Sequence, residues 1–232
     1  MNWIHSEHGR EARGGIETYQ QFRKRNLDWW KANRLGESRT RAPYYEQFLE
    51  KWMVRPYIEK THCLGEIGPG PFGGMIEVLK LAVSNKVFID YLLEDLVGLN
   101  FIPWPKDAVY VNASAESIPL ADNSIDLLLS YNCLDHGWNI WAALIECIRV
   151  SRCCFLSFDC RGDDPHEVEI RKKMKDLDHY QLLHFEDVEN FVEEYAGRMG
   201  YFGGVFRWDI GKTFPVSVVI INKEEQLCSG LT

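Results

Sequence analysis

The chain has 232 residues, 46% of them hydrophobic and 13% aromatic, which is enough to bury the core of one domain with an appendage. Its net charge of -8 disfavours tight nucleic-acid binding, because phosphate contacts need a cationic surface. No run approaches the roughly eighteen apolar residues that cross a bilayer, and the first residues lack the apolar core of a signal peptide, so we expect a cytoplasmic protein with no membrane contact.

Residues 1–60 are predicted to form a helical segment that needs a larger body to pack against. Pro43 and Pro56 are expected to frame its second helix, since proline suits a first turn and ends a helical run. The segment has 12 Lys and Arg against 8 Asp and Glu, a charge of +4, which indicates either a solvated helical face or a nearby anionic substrate. Its aromatic rings are interpreted as core residues rather than a ligand cage, at Tyr19, Phe22, Trp29, Trp30, Tyr44, Tyr45, Phe48, Trp52 and Tyr57.

From residue 61 the pattern changes to short apolar runs that alternate with helical stretches, which is typical of β-α-β units and a parallel sheet. Helices are predicted over 75–83 and 140–150, with a further polar helical stretch that ends near Met199. Strands are predicted over 64–67, 86–89, 109–112, 125–131, 153–158, 201–208 and 214–222, the last two forming a hairpin through the residues DIGKT. We assign 61–223 to this domain and 224–232 to a C-terminal tail.

The 7 cysteines are odd in number and several lie inside apolar stretches, so we predict free thiols. Cys153, Cys154 and Cys160 form no Cys-x-x-Cys pair, and strand alternation places two of them on opposite faces. The run RGDDPH at 161–166 carries metal-binding side chains, but a solvated loop is the favoured interpretation. The sequence therefore predicts no metal site.

Residues 66–74 read EIGPGPFGG, follow the first predicted strand of the sheet and open a helix, which is where doubly wound folds bind ligands. Gly68, Gly70 and Gly73 allow positive φ and a close approach of the backbone to a ligand. Asp90 ends the next predicted strand, 22 residues after Gly68, where a carboxylate can accept hydrogen bonds from two ribose hydroxyls. This pattern predicts a bound nucleoside.

Two features of the loop favour a cationic nucleoside over a nicotinamide dinucleotide. Pro69 and Pro71 have no N–H groups, so the loop lacks donors that a pyrophosphate would need. Glu66 would place negative charge where a diphosphate would lie, whereas an ammonium and a sulfonium would be attracted to it. A nicotinamide oxidoreductase is therefore the weaker alternative.

Four features in this order resemble the class I S-adenosyl-L-methionine-dependent methyltransferases over 63–158. They are the EIGPGPFGG loop, Asp90, the run ASAESIPLADNSIDLLLSYNCLDHGWN at 113–139, and a helix that ends Glu-x-x-Arg-Val at 146–150. The resemblance implies S-adenosyl-L-methionine as the cofactor and a Rossmann-like, doubly wound, mostly parallel α/β sheet of seven strands with a reversed last strand. Residues 1–60 would add an N-terminal helical cap.

The resemblance also implies which residues hold the cofactor. Ser114 stands where the family usually has an acid for the adenine amino group, and its hydroxyl can accept that hydrogen bond less strongly. Asp90 would bind the ribose and Asn132 would lie under the cofactor. The methionine end would be lined by Glu66, Ile67, Gly68, Pro69 and Gly70, and the adenine would be bordered by Ser114, Ala115 and Glu116.

Methyl transfer from a sulfonium disperses charge, so alignment and proximity can supply most of the catalysis. If the acceptor is a hydroxyl group, a base must take its proton. His136 is the candidate, with Asp135 as its helper or as a substrate ligand. The alternative is that His136 only packs beneath the cofactor or caps the following helix.

We therefore predict a methyltransferase that acts on an oxygen or nitrogen of a small-molecule acceptor, with the N-terminal segment excluding water from the site. One alternative is an RNA or protein methyltransferase that uses the basic N-terminal segment to reach a polymer. Another is a non-catalytic module that binds S-adenosylmethionine.

Overall fold

A computed structural model describes residues 2–5, 19–32, 34–137, 139–166, 168–169, 183–208 and 216–223. The predicted tail at 224–232 and the DIGKT turn at 209–213 lie outside the described residues. No helix in these ranges is long and apolar enough to cross a membrane.

The described strands form one sheet in the order β1-β4-β3-β2-β5-β6-β8-β7. They are β1 (Asn2–His5), β2 (Cys63–Ile67), β3 (Asn85–Ile89), β4 (Val109–Asn112), β5 (Ile125–Tyr131), β6 (Ser151–Asp159), β7 (Phe202–Trp208) and β8 (Val216–Asn222). Neighbouring strands in the part of the sheet that runs β1-β4-β3-β2-β5-β6 are parallel, and β8 runs antiparallel to both β6 and β7. The seven predicted strands and the reversed last strand are thereby confirmed.

The eighth strand, β1, lies in the segment 1–60, which was predicted as a helical cap without a strand. It extends the sheet beyond β4, with Asn2 opposite Val109 and His5 opposite Asn112. A run of four residues, NWIH, is too short for periodicity to identify it as a strand. These residues form a strand because they pair with β4, more than 100 residues away in the chain.

The described helices of the fold are α1 (Tyr19–Ala32), α2 (Arg34–Lys51), α3 (Arg55–Glu59), α4 (Gly74–Val78), α5 (Leu93–Gly98), α6 (Ile140–Val150) and α7 (Phe185–Met199). The prediction for α6 is confirmed to the residue. Helix α4 is shorter than predicted, because Lys80 has a φ of 52° that no α-helix accommodates. Pro43 was predicted to begin the second helix, and this is wrong: it lies inside α2, which continues through it to bury an aromatic face.

That aromatic face covers one side of the sheet. Tyr45, Phe48 and Trp52 are buried, and the rings of Tyr45 and Phe48 meet Tyr131 at centroid distances of 5.3 and 5.6 Å. The core interpretation is confirmed for these three rings, whereas the side chains of Trp29 and Tyr44 are 46% and 53% exposed.

Helices α6 and α7 cover the other side of the sheet. Cys153 packs on the side of the sheet that α2 covers, and Cys154 packs on the side that α6 and α7 cover, so the predicted alternation of these cysteines is confirmed. Both layers leave the carboxyl ends of β2 to β5 open at one edge of the sheet, where the predicted site residues lie.

Candidate active site

A cavity of about 610 Å³ lies at the carboxyl ends of the parallel strands β2, β3, β4 and β5. Ligands bind at this edge in open α/β sheets, because neighbouring loops diverge there and leave a crevice. Nine of the twelve predicted site residues line it: Ile67, Gly68, Gly70, Asp90, Ser114, Ala115, Glu116, Asn132 and His136. Glu66, Pro69 and Asp135 are buried next to these residues and are not part of the lining that the structure describes.

The loop after β2 needs glycine because of its backbone and its neighbours. Gly68 and Gly70 have φ angles of 67° and 60°, in the left-handed region that side chains disfavour. A Cβ on Gly68 would lie 2.0 Å from the sulfur of Cys133, so the loop is pressed against the chain that follows β5. The amide of Gly68 donates to the carbonyl of Ile89 at 2.9 Å, which ties the loop to β3.

The structure gives Glu66 a supporting position beneath this loop. Its carboxyl oxygens accept hydrogen bonds from the amides of Met75 at 2.7 Å and Ile76 at 3.0 Å, at the start of α4. Burial raises the pKa of Glu66 to about 8 despite these bonds. At neutral pH the group is therefore mostly protonated, and the negative charge that the sequence suggested here for a cationic ligand is largely missing.

Asp90 is placed to receive a ligand at the end of β3. Its Oδ1 accepts a hydrogen bond from the amide of Leu92 at 2.8 Å, and its own amide donates to the carbonyl of Val111 at 3.1 Å. Burial raises the pKa of Asp90 to about 6, and the bond from Leu92 lowers it in part. The carboxyl group lines the cavity and keeps acceptor capacity for the two hydroxyls of a ribose.

Ser114 and Glu116 form a pair after β4. The hydroxyl of Ser114 donates to Oε2 of Glu116 at 2.8 Å, and Oε1 of Glu116 accepts from the amide of Asn139 at 2.8 Å. The oxygen of Ser114 also accepts from the amide of Glu116 at 3.4 Å. Its second lone pair can accept a bond from a ligand, and the carboxylate that takes the hydroxyl proton strengthens it as an acceptor.

His136 and Asp135 lie on a short 3₁₀ turn after β5 and face different surroundings. His136 lines the cavity, as does Asn132. Asp135 is 2% exposed and its pKa is raised by burial, while the charges of His136 and Arg161 oppose that shift. Asp135 is thus buried beside His136 in the chain and is not part of the cavity lining that the structure describes.

Several lining residues were not predicted. Tyr91, Leu92, Tyr131 and Cys133 directly follow or end the strands that carry Asp90 and Asn132, so their place in the chain could have indicated them. Four others lie near predicted residues, after β4, after β5 or in α6: Ala113, Leu134, Gly137 and Ala143. The last six come from the N-terminal helices and α5, and no sequence signal links those helices to the loop: Arg25, Asn26, Trp29, Trp30, Arg41 and Leu96.

The polar run after β6 has a structural role. The carboxylate of Asp163 contacts Nδ1 of His184 at 3.0 Å and accepts from the amide of Phe185 at 3.0 Å, at the first turn of α7. Asp164 accepts from the amide of His166 at 2.8 Å. Within the described residues no three metal-binding side chains come together.

Residues 66–153 match the model of a protein family described as a methyltransferase domain. No curated protein matches the sequence. Among solved structures, the chain is similar to a phosphoethanolamine N-methyltransferase of Haemonchus contortus in complex with phosphomonomethylethanolamine and S-adenosylhomocysteine, at 13% identity over 93% of this chain and 61% of that one, with a TM-score of 0.65. It is also similar to a magnesium protoporphyrin IX methyltransferase of Synechocystis PCC 6803 with bound S-adenosylhomocysteine, at 12% identity over 88% and 97% of the two chains, with a TM-score of 0.56.

Proposed function

Because the chain belongs to the class I S-adenosylmethionine-dependent methyltransferase family, we propose that it methylates an oxygen or nitrogen atom of a small-molecule acceptor. The cavity is the observation that carries this proposal. Its volume of about 610 Å³ is in the range of small-ligand pockets, roughly 300–1,000 Å³. The cofactor would fill much of that volume, so the space that remains suits a small acceptor.

The residues of the cavity fit this cofactor. Asp90 would accept hydrogen bonds from the ribose hydroxyls, and the Ser114–Glu116 pair would receive the adenine amino group. The backbone of the glycine loop would run along the methionine end, where a Cβ on Gly68 or Gly70 would meet a neighbouring side chain. When bound, the cofactor supplies a methyl group on a sulfonium, and the residues of this chain align it with the acceptor.

We assign His136 the role of general base for an acceptor that must lose a proton. Its side chain lines the cavity after β5, as does Asn132, where the resemblance places the edge of the cofactor. Asp135 lies next to His136 on the same 3₁₀ turn and is buried, so it would act on the acceptor only through the histidine. An acceptor amine that binds already deprotonated would not need this base.

We also propose that residues 1–60 act as a cap. Arg25, Asn26, Trp29 and Trp30 of α1 and Arg41 of α2 line the cavity, while α2 is anchored on the sheet through its buried aromatic face. This arrangement supports a role in excluding water, because the side chains cover the cavity from the side that the sheet leaves open.

The experiment that tests the proposed function follows a labelled methyl group. The protein is incubated with methyl-labelled S-adenosylmethionine and a cell extract that has been divided by ultrafiltration into small molecules and macromolecules. We expect label in a small-molecule product, loss of that label with Asp90→Ala, and no change with Asp107→Ala, which removes an exposed carboxylate outside the cavity.

Label in the RNA or protein fraction would contradict the proposal and favour a polymer acceptor. Absence of label in every fraction, with S-adenosylhomocysteine still bound, would contradict it in favour of a non-catalytic binding module.

A further inference from the structure

Tyr131, the last residue of β5, lines the cavity with a ring that its neighbours hold in place. The ring meets those of Tyr45 and Phe48 on α2 at centroid distances of 5.3 and 5.6 Å. It meets the ring of Trp208 on β7 at 6.5 Å, and all three contacts are close to edge-on. Close packing of this kind leaves a side chain few alternative positions. The sheet and α2 together therefore fix where the phenol lies.

The hydroxyl group of Tyr131 has hydrogen-bonding capacity that the described residues do not use. None of them forms a hydrogen bond with it. It is not sealed in the core without a partner, as the indole nitrogens of Trp52 and Trp104 are. Burial raises the pKa of Tyr131 to about 12, so the hydroxyl stays protonated at neutral pH and can both donate and accept. A half-buried hydroxyl of this kind in a cavity indicates a ligand group that binds to it.

The carboxylates of the cavity lie at the end that the proposed function gives to adenosine. Asp90 and Glu116 are the only acidic side chains among the described lining residues. Asp90 would bind the ribose, and Glu116 accepts the hydroxyl proton of Ser114 at 2.8 Å, where the adenine would lie. Neither carboxylate is therefore assigned to the methyl acceptor.

The charges around Tyr131 offer no replacement for these carboxylates. Asp159 raises the pKa of Tyr131 and Arg41 lowers it, so the two charges oppose each other at the phenol. The carboxylate of Asp159 forms an ion pair with Arg161 at 3.1 Å and is not part of the described lining. An ammonium group beside Tyr131 would thus contact no carboxylate in the part of the cavity that the structure describes.

This distribution of charge separates two classes of acceptor. An aliphatic amine is mostly protonated at neutral pH, and a charge that leaves water needs a partner of opposite sign. An uncharged hydroxyl group has no such cost and needs only hydrogen-bond partners, which the phenol of Tyr131 can supply. A hydroxyl acceptor also needs a base, and His136 lines the same cavity.

We propose that the methyl acceptor is an uncharged hydroxyl compound and that Tyr131 binds its hydroxyl group. The acceptor oxygen forms a bond to the methyl carbon, and the electron pair of the broken carbon–sulfur bond stays on sulfur. The hydroxyl proton passes to His136 and from there to water. The products are a methyl ether and S-adenosylhomocysteine. This inference rests on the proposed function and selects oxygen from the two acceptor atoms named there.

The first experiment identifies the atom that receives the methyl group. The small-molecule fraction of a cell extract is incubated with the protein and with S-adenosylmethionine whose methyl carbon is isotopically enriched. Carbon NMR of the product distinguishes a methyl group on oxygen from one on nitrogen. We expect a methyl ether. A methyl group on nitrogen would overturn the inference and leave the proposed function standing.

The second experiment removes only the phenolic hydroxyl group. Tyr131→Phe keeps the ring and its aromatic contacts, so the variant should fold. Calorimetric titration measures its affinity for S-adenosylhomocysteine, and methyl transfer at serial dilutions of the small-molecule fraction measures how well it binds the acceptor. Tyr195→Phe is the matched control, because Tyr195 stacks on Phe191 of α7 and is not part of the described cavity lining.

We expect Tyr131→Phe to raise the concentration of the fraction at half-maximal rate about fivefold or more, as for the loss of one neutral hydrogen bond. Its affinity for S-adenosylhomocysteine should change less than twofold, and Tyr195→Phe should change neither quantity. An unaltered half-maximal concentration in Tyr131→Phe would overturn the inference. Equal weakening of acceptor and S-adenosylhomocysteine would also overturn it, because Tyr131 would then only support the fold. A wild-type protein that labels no small molecule would instead refute the proposed function, and the inference with it.

Discussion

Protonation of Asp90 is expected to control cofactor affinity in mildly acidic solution. The carboxyl group is buried at the end of β3, and its pKa is raised from an ordinary value near 4 to about 6. The ionised form can accept hydrogen bonds from two ribose hydroxyls, whereas the protonated form loses acceptor strength and presents a donor of its own. Affinity should therefore decrease as pH falls through 6.

The size of this effect follows from the fraction of ionised Asp90. With a pKa of about 6, roughly nine-tenths of the group is ionised at pH 7 and roughly one-tenth at pH 5. If only the ionised form binds, the apparent dissociation constant rises about tenfold over that range, which corresponds to about 1.4 kcal/mol. Glu66 contributes little here, because a group with a pKa of about 8 stays protonated from pH 7 to pH 5.

Calorimetric titration of S-adenosylhomocysteine at pH 5, 6 and 7 measures this dependence, and Asp90→Asn is the matched control. The variant should bind more weakly at pH 7, and its affinity should vary less than threefold over the range, because an amide does not titrate. The reasoning fails if the wild type has the same affinity at pH 5 and 7. It also fails if the variant keeps the tenfold dependence, which would then belong to another titrating group.

Four further outcomes are expected. Folding raises the pKa of Glu66 from its ordinary value to about 8, so the folded state holds a proton that the unfolded state releases, and the free energy of unfolding falls as pH rises toward 8. The melting temperature should therefore decrease less from pH 6.5 to 8.5 in Glu66→Gln than in the wild type. Equal decreases in the two proteins would contradict this. Gly68→Ala should lower stability by about 2 kcal/mol or more, because of its positive φ and the contact with Cys133, and adding Cys133→Ala should recover part of that loss in denaturant unfolding. His136→Ala should lower kcat about 100-fold or more while S-adenosylhomocysteine affinity changes less than threefold, and unaltered turnover would remove the histidine from the mechanism. A truncated chain that begins at Lys60 should be poorly soluble and bind S-adenosylhomocysteine weakly, because the truncation uncovers an apolar face of the sheet. A soluble, fully active fragment would refute the proposal that residues 1–60 act as a cap.

The central sheet was predictable because its strands are buried apolar runs bounded by polar turns. The residues at the ends of those strands, such as Asp90 and Asn132, could be assigned to one edge because carboxyl ends of parallel strands meet there. The features that sequence reasoning missed depend on distant partners. Strand β1 exists through its pairing with β4, and α2 continues through Pro43 because burial of its later half outweighs the lost hydrogen bond.

The candidate site shows the same division between local and distant information. The pattern EIGPGPFGG identified the loop, yet it could not show that Glu66 turns beneath the backbone and binds the amides of Met75 and Ile76. Likewise, Trp30 and Arg41 carry no motif, and only the packing of the N-terminal helices brings them to the loop. A side chain's direction and its distant neighbours are set by tertiary packing, which local patterns do not encode.

The most direct test of the account is calorimetric titration of the purified protein with S-adenosylmethionine, S-adenosylhomocysteine and NADH, alongside Asp90→Ala. We predict saturable binding of the first two ligands, at least tenfold weaker in the variant, and no binding of NADH. Binding of NADH alone, or cofactor binding that Asp90→Ala leaves unchanged, would contradict the assignment of this cavity.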